Sequence, residues 1–215
     1  MIYKSYYLVL SFLSLLLLLP LIGIISKIEF EISYLFEFFG SKYNTRIIYI
    51  SFLQAFLSAF FSCFIAVPFS FSLYRNKHLK IVKFVITLCG YSFVIPSILI
   101  VHSVIGIYGR NGFLNNIINF YDFFNINSLF GLKAILIAHI LLNAPFATRL
   151  FFQNLNSIPK NYIEIGNSLN LNFWSFIFKI EWPILKQNLL SIFSIIFILC
   201  FLSFATVMAL GGGPR

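Results

Sequence analysis

Long apolar runs separated by short polar breaks dominate the chain. A membrane-spanning helix needs about 20 mostly apolar residues, and five stretches approach that length. Tyr6 to Ser26 carries no charge between Lys4 and Lys27. Its length, and the lack of a small-x-small cleavage signal after it, favour a retained first helix over a signal peptide. Ile47 to Tyr74 runs 28 residues without a charge, longer than a bilayer core is thick, so tilt or a kink at Pro68 is expected. Phe84 to Tyr108 is the third stretch, interrupted by Pro96. The fourth has an uncharged centre, Ala134 to Thr148, between Lys133 and Arg149, two side chains expected to snorkel to opposite surfaces. Gln187 to Leu210 is the fifth. The pattern predicts an all-α membrane protein, a single transmembrane domain over 1–215 with spans at 6–26, 47–74, 84–108, 132–152 and 187–210.

Composition sharpens this. Apolar residues make up 60% of the chain and charged ones only 10%, whereas soluble domains carry roughly a quarter charged residues. A large soluble core is thereby excluded. The net charge of +9 invites a nucleic-acid reading, but the basic residues sit between apolar spans, which fits topology control instead. The 75–83 loop holds four basic residues and no acid, and the 149–186 loop four more. The alternate loops hold four between them together with Glu29, Glu31, Glu37 and Asp122. The count places the N-terminus and the 75–83 and 149–186 loops in the cytoplasm, and residue 215 on the opposite side. The aromatic, asparagine-rich segment Phe113 to Asn127 is expected along the outer interface. Cys63, Cys89 and Cys200 lie in apolar spans, without metal or redox spacing, and read as small hydrophobes.

The remaining polar island is the loop at 153–186. Pro159 and Lys160 open a helical pattern through Tyr162, Ile163, Gly166 and Leu169. Asn170 and Asn172 leave helical geometry cheaply, since asparagine tolerates the left-handed region. A second apolar face follows through Phe173, Ile177 and Ile180, and Pro183 is expected to force a change before the last span. Two short helices able to dock on a partner result; an interfacial helix-turn-helix with no partner is the alternative.

The spacing in this loop resembles that of permeases of binding-protein-dependent ABC transporters, whose pattern is Glu-Ala-Ala, three residues, Gly, nine residues and Ile-x-Leu-Pro. Here Glu164, Ile180 and Pro183 match in register, Gly166 is a small residue for the second alanine, and Ile165, Asn170 and Trp182 depart. Asparagine and glycine both permit the bend at position 170. The stretches IGIYGRNGFLNN (105–116), LIAHILLNAPFATRLFFQNLNSIP (136–159), KIEWPILKQ (179–187) and LCFLSFATVMALGGGPR (199–215) are similar to the amino-terminal half of thiamine-type permeases. Ferric-iron permeases share the plan and are the nearest alternative. The resemblance implies a type I, MetI-like helix bundle in a bacterial inner membrane, with 153–186 as a cytoplasmic coupling loop. It further implies an ABC ATPase subunit gripping 160–175 and a periplasmic substrate-binding protein. A second permease half or a homodimer partner, and membrane lipid, complete the surroundings. Glu164 would cap or salt-bridge at the start of the coupling helix, and Leu169 and Trp174 would be apolar anchors. Such permeases fuse two six-helix halves, so the chain is expected to be partial, stopping before a sixth helix. A remnant that inserts without transporting is the corresponding alternative.

Polar residues at membrane depth are the default pathway candidates. His139 and Asn143 stand four apart on one helical face, and Ser203 and Thr206 three apart on the fifth span. Inter-helical hydrogen bonding that holds the bundle is the competing role for all four, and for His102. No acid falls within a predicted span and the histidines are scattered, which argues against a membrane-embedded enzyme. The chain contains no GxxxxGK[ST] phosphate loop, so ATP hydrolysis would belong to another subunit. GRNG at 109–112 and GGG at 211–213 are read as turns. No catalytic, metal-ligating or cofactor-binding set is expected.

Overall fold

A bilayer interior offers no water to satisfy backbone groups, so apolar segments close their own hydrogen bonds as helices. The computed structural model describes residues 2–27, 32–119 and 130–212, and no strand occurs among them. The chain divides into two units, Met1–Ile48 and Tyr49–Arg215. The first holds α1 (Ile2–Ile25), α2 (Ile32–Gly40) and the opening turns of α3 (Lys42–Arg75). Leu15, Leu17, Leu19 and Ile22 of α1 are all more than half exposed, the signature of a helix apolar around its whole circumference. Glu29 and Glu31 lie outside the described residues.

The second unit continues α3 and adds α4 (Lys80–Tyr91), α5 (Ser97–Tyr108), α6 (Phe113–Ile118) and α7 (Leu132–Asn156). After these come α8 (Lys160–Ser168), α9 (Phe173–Phe176), a π turn (Ile177–Glu181), α10 (Trp182–Phe201) and α11 (Phe204–Leu210). Among the described residues three helical stretches are long and apolar enough to cross a membrane: Lys42–Arg75, Leu132–Asn156 and Phe173–Phe201. Their packing follows from a seam of small residues. Along α3, Ala55, Ser58, Ala59, Ser62, Cys63, Ala66 and Ser70 are all buried, at helical spacing on one face. Small side chains let helix backbones approach closely where lipid supplies no hydrophobic drive. Against this seam α7 presents Ala147, Phe151 and Leu155, and α10 presents Leu185, Ile192, Ile196 and Cys200. A second cluster joins α5, the start of α7 and α11 through Val101, Val104, Ala134, Ile135, Ala138 and Leu210.

The structure refines three expectations. The interruption expected at Pro96 in the 84–108 stretch divides it into two helices, the chain leaving helical geometry from Ser92 to Pro96; proline disfavours the α region for the residue before it. The 187–210 stretch starts earlier, at Trp182, and breaks at Leu202–Ser203, where Ser203 has φ −78° and ψ 68°. Arg149 does not reach outward along α7. Its guanidinium lies over Gly90 of α4, where an added Cβ would fall on Nη1. Pro68 and Pro145 both stay inside their helices. GRNG at 109–112 is a turn after α5. Residues 120–127 of the expected interfacial segment, with 128–129 and Gly213 to Arg215, lie outside the described residues.

Candidate functional site

The 153–186 segment is built from two local devices. Pro159, extended at ψ 141°, sets the start of α8 without needing the N–H that proline lacks. At the other end Asn170 takes a left-handed φ of 46°. Its N–H bonds the Asn167 carbonyl at 3.0 Å, and the Leu171 N–H bonds the Gly166 carbonyl at 3.1 Å. Those two bonds make a Schellman cap with asparagine in the place glycine usually holds. Asn172 then opens the next helix, its Oδ1 accepting the Ser175 N–H at 2.9 Å.

Gly166 faces inward and is buried. A Cβ there would sit 2.5 Å from Ile180 Cδ1 and 2.8 Å from Phe176 Cε2. This close approach seats α8 on α9 and the π turn. Around this contact several large apolar side chains are uncovered: Leu169 is 66% and Trp174 65% exposed, and Tyr162 and Ile165 are also mostly exposed. Trp174 stacks on Phe178 at 6.3 Å, with Phe173 edge-on to it at 5.3 Å, which stiffens this surface. Glu164 lies in the second turn of α8, exposed. It neither caps the helix start, where no side-chain cap occurs, nor forms an ion pair among the described residues.

The change expected before the last span at Pro183 takes the form of a π turn rather than a break. Residues 173–201 run on as helix, with Pro183 in the first turn of α10. Proline gives no N–H to the carbonyl four residues back and its ring crowds that carbonyl. The wider π turn, closed by Trp182 N–H to the Ile177 carbonyl, takes up the mismatch.

Sequence reasoning missed the ion pair beside this turn. Glu181, 1% exposed, accepts from Arg75 Nη2 at 2.9 Å, and Arg75 Cζ lies 4.0 Å from the Phe173 ring centroid. The signal available was an acid set between Ile180 and Trp182 at the mouth of a span, and a basic residue closing another.

At membrane depth the structure brings three of the four pathway candidates to one cavity of about 280 Å³, lined by His139, Asn143 and Ser203 together with Ser92, Ser97, Phe93 and Phe146. Two of its walls are the helix breaks after α4 and after α10. Irregular backbone at such depth is tolerated where it is buried in protein or lines a cavity. Thr206 is buried and accepts from Ser203 Oγ at 2.8 Å, but does not line the cavity. The same groups also tie helices together. His139 Nδ1 is 3.1 Å from Ser58 Oγ of α3, and Asn143 Nδ2 donates to Cys200 Sγ of α10 at 3.2 Å. Gln54 Nε2 donates to the Cys200 carbonyl at 3.4 Å. His102 bonds within its own helix, to the Ile98 carbonyl at 2.9 Å. Among the described residues no group of His, Cys, Asp and Glu is placed to hold a metal.

Comparison with known proteins bears on the same regions. Over 177 residues, 82% of the chain, it is 38% identical to the thiamine transport system permease protein ThiP of Haemophilus influenzae. The chain is homologous to thiamine transport permeases. It spans about a third of the length of these relatives, 33% in that case. The ferric transport system permease protein FbpB of Actinobacillus pleuropneumoniae matches at 30% identity over 48% of the chain and 15% of its own length. No protein-family model matches the chain. Among solved structures, an inward-facing MetNI methionine ABC transporter aligns with a TM-score of 0.63 at 22% identity, over 79% of this chain and 74% of that one. The fold is that of an ABC-transporter permease. With three helices among the described residues able to span a bilayer, the chain is a multi-pass inner-membrane protein, and its relatives are named as transport permeases.

Proposed function

We propose that the chain is membrane-spanning permease of an ATP-driven importer for thiamine or thiamine phosphates. The observation that carries this is the exposure of Leu169 and Trp174 on a segment held by the Gly166 contact and the Asn170 cap, within a chain alignable to ThiP over 82% of its length. An apolar patch outside the bilayer, anchored by a tryptophan, fits a protein partner. An ABC ATPase docks there, with Glu164 on the same segment and Pro183 at its junction with the last span. ATP-driven closure moves α8 and α9 and tips the bundle between two access states. Five spans, with the N-terminus and 153–186 cytoplasmic and residue 215 periplasmic, give the topology; a substrate-binding protein delivers the vitamin from the periplasm. His139, Asn143 and Ser203 form one wall of the path, with Thr206 behind it accepting from Ser203, and a second permease half or a second copy supplies the facing wall. The much shorter alignment with FbpB favours thiamine over ferric iron as cargo.

The test is co-purification with the ATPase subunit and uptake of labelled thiamine. L169D combined with W174D should reduce ATPase binding at least about tenfold, since two exposed anchors are lost without disturbing buried contacts. Undiminished binding refutes the docking assignment. Wild-type chain that inserts yet recruits no ATPase and moves no thiamine refutes the importer reading.

A further inference from the structure

The segment proposed to meet the ATPase is fastened to the bundle at a point none of the foregoing explains. α9 and the π turn begin at Phe173 and end at Glu181. One residue, Arg75 at the end of α3, holds both: its guanidinium lies over the Phe173 ring at 4.0 Å and bonds the Glu181 carboxylate at 2.9 Å. The carboxylate is 1% exposed while Arg75 is 27% exposed. A buried charge left without its partner is strongly unfavourable, so the pair resists separation. Beside it a cavity of about 350 Å³, lined by Tyr74, Arg75, Ile163, Leu171 and Phe173 among others, separates the end of α3 from α8. The segment therefore has room to move, but not without dragging Arg75. The π turn adds compliance along α10, because its extra residue loosens the regular ladder. Glu181 also follows Ile180, the residue that Gly166 of α8 abuts, so displacement of α8 reaches the ion pair through one residue.

We infer that the Arg75–Glu181 pair, with Phe173 beneath it, is the joint that transmits movement of α8 and α9 into α3. Arg75 and Glu181 act as positioning residues: bonded to each other and to the ends of the segment, they keep ATP hydrolysis tied to transport. The inference rests on the importer reading above.

The experiment reconstitutes the chain with its ATPase subunit, second permease half and binding protein in liposomes, and reads ATP hydrolysed per thiamine delivered. E181Q should co-purify with the ATPase as wild type does and retain hydrolysis, while that ratio rises about tenfold. The charge swap R75E with E181R should recover part of the loss seen in either single variant. A purely structural role would lower hydrolysis, assembly and transport together. Should E181Q fail to assemble, F173L removes the ring under Arg75 while leaving the carboxylate paired, and should raise the ratio about threefold. A wild-type ratio in E181Q, or in F173L where that variant carries the test, overturns the joint. A wild-type complex that delivers no thiamine instead overturns the importer reading.

Discussion

Asn170 offers the sharpest test of how the docking segment is held. Its φ of 46° lies where a Cβ meets the following carbonyl, a conformation costing most L-residues about 1–2 kcal/mol. Asparagine is among the residues that visit it most readily, and glycine does so without a Cβ at all. The side chain is exposed, so replacing it removes no packing, and the backbone angle carries the effect. Asn170→Val should therefore destabilise the turn by about 1–2 kcal/mol, which is about a tenfold shift in its opening equilibrium. Asn170→Gly should stay within about twofold of the parent, because relief of Cβ strain is offset by glycine's greater freedom when the turn opens. The reporters are the Leu171 amide, bonded to the Gly166 carbonyl at 3.1 Å, and the Asn170 amide, bonded to Asn167 at 3.0 Å. Hydrogen exchange of a peptide covering 165–175, measured in lipid nanodiscs, should accelerate about tenfold for valine and barely change for glycine. Equal exchange in the two variants would refute the claim that this angle holds α8 in place.

Two further predictions bear on the site. Gly166→Val places a branched side chain where Ile180 Cδ1 already lies 2.5 Å from the ideal Cβ. It should cost about 1–3 kcal/mol of local overpacking, read as faster exchange across 160–171 and weaker ATPase binding. Asn143→Leu removes a single hydrogen bond to a thiol sulfur, a weak acceptor. Thermal stability in detergent should change little, while thiamine uptake falls severalfold if Asn143 faces the path; a large stability loss with unchanged uptake per folded molecule would assign it to holding the bundle.

What the sequence made legible was local. The 28 uncharged residues from Ile47 to Tyr74 lie within α3 because nothing in that run competes with helix in an apolar solvent. Asn170 bends the chain as expected, since its reason for doing so is contained in the residue itself. Pro96 announced an interruption, but its extent from Ser92 onward depends on neighbours, such as Ser92 Oγ returning to the Cys89 carbonyl at 2.8 Å. Neither proline nor glycine stands at Leu202–Ser203, so that break left no mark in the sequence. Pro183 announced a change before the last span, but not its form, a π turn that lets the helix continue past it.

The Arg75–Glu181 pair spans 106 positions and shows where pattern reading stops. Periodicity assigns a face to each residue but not a partner on another helix. An acid flanked by Ile180 and Trp182 signals only that some cation must be near, since a carboxylate 1% exposed is not left unpaired. Charge counting had already assigned Arg75 to topology control at a helix end, a use that many basic residues in such loops share. Only the folded chain shows that this one has a second use. On the topology proposed above, a residue that fixes orientation during insertion sits where the bundle meets the cytoplasm, which is where force from an ATPase would enter. The pairing of Arg75 with the π turn follows from that placement: the cation that anchors α3 is the nearest partner for an acid at the mouth of α10.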